Sequence, residues 1–216
     1  NIDKLDMAIS DLDRAIQLAP DYALAYYNRG LVYKEQEQWD SAIADFSKAL
    51  ELETSLVGIK QVLAEVYTNR GYIYRTKEQN DLAVADFNKA IELDPNLALA
   101  YYQLGSVYNT QGQWELAITN LSKALEIEPN YSHAYSNRAY SYLNIGELGK
   151  AIEDYSKAIE LDPDYALAYY NRALAYYNTG QSDLAIADFN KTIELSDDPD
   201  LISLAKDRIS EIQRIK

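Results

Sequence analysis

The sequence predicts an all-α solenoid of stacked helical hairpins, and three observations indicate it. First, five related segments recur along the 216 residues, among them ALAYYNRGLVY from Ala23 and ALAYYNRALAY from Ala166. Second, apolar residues within each repeat lie three and four positions apart, which is the period of an amphipathic helix. Third, Gly112, Gly146 and Gly180 separate the halves of their repeats, and prolines, which cannot continue a helix interior, separate the repeats.

The spacing of one alanine column defines the predicted elements. This alanine stands in the second half of every repeat, with spacings of 41, 34, 34 and 34 residues, at Ala42, Ala83, Ala117, Ala151 and Ala185. We therefore expect residues 1–216 to form a single repeat domain. Its predicted parts are a half-repeat at 1–20, repeats at 21–56, 57–95, 96–129, 130–163 and 164–197, and a capping helix at 198–216.

The capping helix is predicted from its cap and its apolar face. Asp198 can accept backbone N–H bonds as the N-cap, and Pro199 suits the first helical turn. The residues expected on the inner face are Leu201, Leu204, Ala205, Ile209 and Ile212.

Small residues in the first half of each repeat are expected to pack against bulky residues in the second half. The small column, where helix backbones must approach closely, is Gly30, Gly71, Gly105, Ala139 and Ala173. The bulky columns, interpreted as core, are Tyr33, Tyr74, Tyr108, Tyr142 and Tyr176, together with Phe46, Phe87, Leu121, Tyr155 and Phe189.

One repeat is interrupted by a seven-residue insertion, Val57 to Leu63, and has Thr54 in place of the junction proline. Seven residues are about two helical turns. We therefore expect the first helix of this repeat to be lengthened at its N-terminal end, from about Ser55. The insertion is interpreted either as a packing variation or as an added binding lip.

These features resemble the tetratricopeptide repeat family: a 34-residue period, an early aromatic residue, and small, aromatic, alanine and proline columns. The resemblance covers nearly the whole chain. It implies a right-handed superhelix of hairpins whose first helices line a concave groove, and it implies a protein-interaction scaffold with a peptide-binding groove.

The predicted groove site is built on a column of carboxamides, Asn28, Asn69, Gln103, Asn137 and Asn171. Each amide offers a donor and an acceptor, so the column could bond to a peptide backbone; it resembles the asparagine ladder of the nucleocytoplasmic N-acetylglucosaminyltransferase. The alternative is a structural role between helices. The aromatic residues predicted to flank the amides are Tyr27, Tyr102, Tyr170, Tyr72 and Tyr140, and the predicted groove cations are Lys34 and Arg75.

The flanking columns favour apolar and aromatic anchors on the partner peptide or helix. Tyr27 and Ser136 stand where family members that clamp acidic chaperone tails have lysine. We therefore expect no carboxylate clamp for such tails.

Recurring charges are expected to pair within the repeats. Arg29, Arg70, Arg138 and Arg172 could read phosphate or carboxylate as a row, but an aspartate column at Asp45, Asp86, Asp154 and Asp188 favours pairing across the hairpin. Lys and Glu spaced three apart on the second helices predict solvated pairs.

Composition excludes several other functions. A net charge of −14 disfavours nucleic acid and anionic membranes, and zero cysteines exclude thiolate chemistry. The single histidine, His133, has no nucleophile or ligand set nearby, and no phosphate-loop, zinc or nucleophile-elbow motif occurs. The uncharged stretch from Asn96 to Trp114 is interrupted by polar residues, which predicts no membrane span. We expect no enzyme activity, no catalytic or metal site and no cofactor.

Two alternatives to a free-standing binding scaffold remain open. The chain could be the regulatory or substrate-recruiting arm of an enzyme or complex whose other domain lies upstream. It could also self-associate into a homo-oligomer through the N-terminal half-repeat. Because Asn1 falls inside a half-repeat, we expect the chain to be a fragment, and the absence of cysteine favours a cytoplasmic location.

Overall fold

The structure is a computed structural model that describes residues 2–215, with side chains from 4 to 214. The described residues form twelve α-helices and no strand. Their bounds are α1 (Ile2–Leu18), α2 (Ala23–Glu35), α3 (Trp39–Leu52), α4 (Ile59–Thr76), α5 (Asn80–Leu93), α6 (Ala98–Thr110), α7 (Trp114–Ile127), α8 (Ser132–Asn144), α9 (Leu148–Leu161), α10 (Ala166–Asn178), α11 (Ser182–Leu195) and α12 (Pro199–Ile215). The all-α prediction is confirmed.

The chain divides into two compact units, Asn1–Gln103 and Leu104–Lys216. In the first unit, α2 packs on α3 and α4 packs on α5 as antiparallel hairpins, with α1 against α2. In the second unit, the pairs are α8 with α9 and α10 with α11, and α12 covers α11. We call α2, α4, α6, α8 and α10 the first helices and α3, α5, α7, α9 and α11 the second helices. The division of the chain into one domain with seven parts stays a prediction.

The core of each unit follows the predicted columns of the second helices. All five column alanines are fully buried, and so are the five bulky residues Phe46, Phe87, Leu121, Tyr155 and Phe189. A Cβ atom added at Gly71 would lie 2.7 Å from the ring of Phe87. Glycine is therefore required for this close approach, since real Cβ contacts are not that short.

The tyrosine column of the first helices is only half-buried, so its assignment to the core is wrong in part. Tyr33, for example, is partly exposed, as are its counterparts Tyr74, Tyr108, Tyr142 and Tyr176. The physical reason is that four of these rings lie at the edge of the hairpin, where they stack on an arginine.

The lengthened helix begins later than expected. Helix α4 has 18 residues against 13 in α2, but it starts at Ile59 and not near Ser55. Gly58 adopts a left-handed φ of 80°, which stops the helix from extending toward Ser55. The added turn and a half of helix therefore consists of Ile59 to Leu63.

The capping helix forms as expected except for one residue. The backbone N–H of Asp200 donates to Asp198 Oδ1 at 2.9 Å, which confirms the N-cap. Ala205 and Ile212 are buried in the core cluster of α10 and α11. Leu204 is 49% exposed, so its placement on the inner face is wrong, because α12 has a neighbouring helix on one side only.

Helix α1 matches a second helix in sequence but is less covered. Ala8, Leu12 and Ala15 are half-buried, whereas their counterparts Ala42, Phe46 and Ala49 in α3 are fully buried. The reason is that only α2 packs against α1, while α3 contacts both α2 and α4.

Each hairpin turn contains one residue with a left-handed backbone. Glycine fills this position three times, with φ of 70° at Gly112, 80° at Gly146 and 76° at Gly180. The aligned residues of the first two hairpins are Glu37, with φ 56°, and Glu78, with φ 59°. A side chain is disfavoured in this region, so the two glutamates are strained.

Replacing Glu78 by glycine should therefore stabilise the first unit. We expect Glu78→Gly to raise the free energy of unfolding by about 0.5–1 kcal/mol, because the left-handed conformation no longer opposes a Cβ atom. Urea unfolding followed by circular dichroism measures this. The matched reverse change, Gly146→Glu, should lower stability, and a stabilising effect of that change would contradict the argument.

Tyr155 differs from its column in carrying a hydroxyl where Phe46, Phe87 and Phe189 have none. Its hydroxyl oxygen is buried and has no hydrogen-bond partner among the described residues. Burial raises the pKa of Tyr155, because the phenolate would lose its hydration. The folded state therefore holds the proton more tightly than the unfolded state.

We expect Tyr155→Phe to be more stable than the parent by about 1 kcal/mol near neutral pH, since an unsatisfied buried hydroxyl is removed. Folding raises the pKa of Tyr155, so its protonated form contributes fully to the free energy of unfolding below the unfolded pKa of about 10. As pH rises above that value, the unfolded state loses its proton first and the parent chain becomes less stable. The stability difference should therefore grow in alkali. Tyr22→Phe, at a half-exposed ring, is the control, and a pH-independent difference for Tyr155→Phe would contradict the interpretation.

Candidate functional site

The predicted groove residues of the first unit lie on α2, α4 and the start of α6. Asn28 is exposed and Asn69 is partly exposed, and neither side chain bonds to another residue in the described range. Gln103 is buried, and its Oε1 atom has no hydrogen-bond partner there. The first unit therefore presents carboxamide groups that its own fold does not use.

Apolar side chains lie on the same helices as these amides. Tyr72 is 43% exposed, and Leu24 and Leu31 are exposed to a similar degree. Tyr27 is different, because its ring packs edge-on against Phe46 with centroids 5.6 Å apart, so it is part of the core contact. Accessible apolar surface on these helices therefore comes from Leu24, Leu31 and Tyr72, with Leu99 on α6 exposed to a similar degree.

The two predicted groove cations of the first unit, Lys34 and Arg75, make different interactions. Lys34 Nζ forms an ion pair with Glu65 Oε2, which joins α2 to α4. The guanidinium of Arg75 lies 5.2 Å from the ring centroid of Tyr72, and its buried Nε has no hydrogen-bond partner among the described residues. Arg75 is thus held by stacking and keeps hydrogen-bonding capacity.

In the second unit, part of the amide column is used internally. Asn137 Nδ2 donates to Ser106 Oγ at 2.8 Å, and the backbone oxygen of Asn137 accepts from Asn109 Nδ2 at 2.9 Å. Ser141 Oγ donates to Asn109 Oδ1 at 2.6 Å, which closes a buried polar network. Asn137 therefore supports the structural alternative, while Asn171, partly exposed, bonds to no other described residue.

Sequence reasoning missed Asn109 and Ser141 as members of this network. The signal was present: Ser141 stands in a column otherwise held by Val32, Ile73, Val107 and Ala175. A hydroxyl in an apolar column indicates a buried polar partner, because an unpaired one would cost stability.

The remaining aromatic residues of the predicted site are unequal in exposure. Tyr140 is exposed and packs edge-on against Trp114 with centroids 5.8 Å apart. Tyr170 is only 8% exposed and contacts Phe189 in the core. Tyr102 is half-buried and has interactions of its own. Among these described tyrosines of the predicted site, Tyr140 therefore has the most accessible ring.

The arginine row is paired across the hairpins, which confirms the intramolecular interpretation. Every pair is bidentate: Nε and Nη2 donate to the two oxygens of one buried aspartate at 2.7–2.9 Å. The pairs are Arg29–Asp45, Arg70–Asp86, Arg138–Asp154 and Arg172–Asp188. The third repeat has neither partner, because Leu104 and Asn120 stand at the two positions.

Two tyrosines from the same helix enclose each of these arginines. Arg70, for example, lies 5.5 Å from the ring centroid of Tyr67 and 5.6 Å from that of Tyr74. The hydrogen bond to Asp86 raises the pKa of Arg70 above its ordinary value. Such enclosed, bonded guanidinium groups are not available to read a phosphate or carboxylate row.

Solvated Lys–Glu pairs form on the second helices as predicted. The Nζ–Oε distances are 2.6–3.0 Å at Lys48–Glu51, Lys89–Glu92, Lys123–Glu126, Lys157–Glu160 and Lys191–Glu194. Pairs of this kind stabilise a helix by about 0.2–0.5 kcal/mol each and carry no chemistry.

The described residues contain no group of three or more His, Asp or Glu side chains placed to hold a metal ion. His133 is exposed, with its ring 4.9 Å from that of Tyr165 and Nδ1 3.3 Å from Ser132 Oγ. No helix within residues 2–215 has both the length and the apolar composition needed to cross a bilayer.

Family models for tetratricopeptide repeats match most of the chain. The model described as TPR repeat matches residues 3–37, 105–146 and 141–180. Models described as tetratricopeptide repeat match residues 21–96, 87–119 and 166–199. The chain belongs to the tetratricopeptide repeat family. The resemblance seen in the sequence is thereby confirmed.

Solved structures of tetratricopeptide repeat proteins are similar to this chain. YrrB, described as having an unusual peptide-binding site, is 28% identical with a TM-score of 0.71, over 91% of this chain and 97% of YrrB. MamA is 30% identical with a TM-score of 0.59, over 76% of this chain and 92% of MamA. The first repeat domain of Spaghetti (RPAP3), bound to the HSP90 peptide SRMEEVD, is 22% identical with a TM-score of 0.55, over 56% of this chain and 95% of that domain, and shows the fold alone.

The arginine–aspartate pairs of this tetratricopeptide repeat chain can be tested against its own third repeat. We expect Arg138→Leu to lower the free energy of unfolding by about 2–3 kcal/mol, because it leaves buried Asp154 unpaired. The double variant Arg138→Leu/Asp154→Asn copies Leu104 and Asn120 and should recover at least about 1 kcal/mol of that loss. Urea midpoints measure both, and a double variant no more stable than the single one would overturn the pairing argument.

Proposed function

We propose that this chain is a protein-interaction module whose first helices bind a segment of a partner protein. The observation that carries the proposal is the set of carboxamides that the fold leaves unbonded, at Asn28, Asn69 and Asn171, beside exposed apolar side chains. An amide can donate to and accept from a peptide backbone whatever its sequence. The neighbouring apolar surface would add affinity.

The chemistry of the neighbouring residues supports apolar or aromatic anchors on the partner. In the first unit, Leu24, Leu31 and Tyr72 are exposed beside the amides. In the second unit, Tyr140 and Leu167 are exposed. Cations are scarce, because the arginine row is paired and Lys34 is held by Glu65, which leaves Arg75 as the predicted groove cation with unused hydrogen-bonding capacity. A partner segment rich in carboxylates would find little to pair with, which supports the expectation of no clamp for acidic tails.

The similarity to YrrB supports a peptide ligand, since that protein is described as having a peptide-binding site and matches nearly all of its length. The amide and apolar side chains that the hairpins leave accessible support such a ligand independently of this likeness.

The test uses peptides selected from a random display library against the parent chain. The variant Asn69→Ala/Asn171→Ala should bind these peptides about tenfold more weakly, since each lost hydrogen bond contributes about 0.5–1 kcal/mol. Fluorescence anisotropy measures the affinity. The melting curve of this double variant should stay unchanged, because neither Asn69 nor Asn171 has a side-chain hydrogen bond within the described chain.

Two control variants make the result decisive. Asn88→Ala/Asn190→Ala removes two exposed asparagines from the second helices and should leave affinity unchanged. Asn137→Ala should instead lower stability, because it breaks the bond to Ser106. Equal loss of affinity in the control pair, or none in Asn69→Ala/Asn171→Ala, would refute the amide contribution. The regulatory-arm and self-association hypotheses stay predictions.

A further inference from the structure

The insertion in the second repeat changes the surface of the first unit. Helix α4 begins at Ile59, whereas the residue aligned with the start of α2 at Ala23 is Ala64. The five residues Ile59 to Leu63 are therefore additional helix. They extend α4 beside the C-terminal ends of α3 and α5, and Val57, just before them, is 95% exposed.

This extension forms one wall of a cleft of about 420 Å³, which we call the insertion cleft. Its apolar lining is Leu50 from α3, Leu63 and Tyr67 from α4, and Leu93 from α5. Leu63 is buried in the core, while the other three are half-buried and pack against that core. A volume of this size accommodates one or two large side chains.

One cation that lines the insertion cleft has no ion-pair partner among the described residues. Lys89 and Glu92 line the cleft and pair with each other at 2.8 Å, and Glu51 pairs with Lys48 at 3.0 Å. Lys60 also lines the cleft, is exposed, and forms no ion pair within the described residues. The charged lining residues Glu51, Lys60, Lys89 and Glu92 sum to zero, and Lys60 is the one among them without an ion-pair partner within the described residues.

The second unit supplies a comparison within the same chain. Its cleft of about 460 Å³ between α8 and α9 is lined by Tyr135, Lys157 and Glu160, the counterparts of Tyr67, Lys89 and Glu92. The rest of that lining is polar or charged, and no aliphatic side chain is in it. The aliphatic lining beside an unpaired lysine thus distinguishes the insertion cleft from this second cleft.

The insertion cleft faces away from the amides. On α4, Lys60, Leu63 and Tyr67 share one side of the helix by their three- and four-residue spacing, whereas Asn69 and Tyr72 point about 150° away at 100° per residue. A ligand in the cleft would therefore not compete for the amide-bearing face.

We propose that the insertion cleft is a second binding site, which takes a large aliphatic side chain of a partner segment and pairs a neighbouring aspartate or glutamate of that segment with Lys60. The leucines exclude water from the aliphatic group. The carboxylate pairs with Lys60, the lining cation that has no ion-pair partner among the described residues, and the positive end of the α4 dipole adds to this attraction because Lys60 lies in the first turn. The insertion is then the binding lip and not merely a packing variation.

The experiment is an NMR titration of the ¹⁵N-labelled full chain with the probe acetyl-Ala-Leu-Asp-Ala-amide. We expect shifts at backbone amides from Val57 to Tyr67 and at Leu93, with a dissociation constant on the order of 1 mM. Two matched probes, acetyl-Ala-Leu-Asn-Ala-amide and acetyl-Ala-Ala-Asp-Ala-amide, remove the charge or the aliphatic group. Each should bind about fivefold more weakly.

The variant Lys60→Gln tests whether Lys60 is the group that pairs with the carboxylate of the probe. It should lose most of the preference for the Asp over the Asn probe, because the pairing partner is gone and only the helix dipole remains, while the control Lys206→Gln at an exposed lysine of α12 keeps the fivefold preference. Absence of shifts at the cleft, or an unchanged preference in Lys60→Gln, would overturn the proposal. Shifts confined to the Asn69 and Tyr72 side would also overturn it, yet would support the amide face. The experiment therefore distinguishes a failure of the insertion cleft as a binding site from a failure of the proposed binding at the amide-bearing face.

Discussion

The close approach of the two helices within each hairpin is the constraint on which the rest of the structure depends. Glycine or alanine on the first helix meets a large buried side chain on the second, as where Gly30 faces Phe46 with 3.0 Å to an added Cβ. This approach fixes the register between the helices. Residues 16 apart in sequence, such as Arg29 and Asp45, then come within bonding distance at 2.7 Å. Packing therefore decides where the charges go.

Because packing brings each of the four arginines to a buried aspartate, these charges are paired within the hairpins and are not available to a ligand. The third repeat shows that the pair is not needed for packing, since Leu104 is buried where the others have arginine. What stays accessible on the first helices is mostly neutral: amides, tyrosines and leucines. A net charge of −14 is thus compatible with a binding face that is itself not acidic.

Features that recur with the repeat were predictable from the sequence, because five copies report the same environment. The alanine column and the Arg29–Asp45 type of pair are examples. Features that occur once were not. The start of α4 depends on the local backbone of Gly58, and the network around Ser141 joins only the third and fourth repeats among the described residues. Helix α12 is covered by other helices on one side only, so its helical period alone overestimated the buried face at Leu204.

The same contrast between recurring and single features separates the two proposed sites on α4. Asn69 belongs to a column of carboxamides that recurs in every repeat of the sequence. Lys60 and Leu63 lie in the inserted segment, which has no counterpart in the other repeats. A ligand that needs these two residues can therefore bind only in the second repeat. A partner that used both would be bound by a repetitive surface and aligned by a unique one. Register along a repeat array requires such an asymmetric contact, because identical hairpins offer equivalent positions.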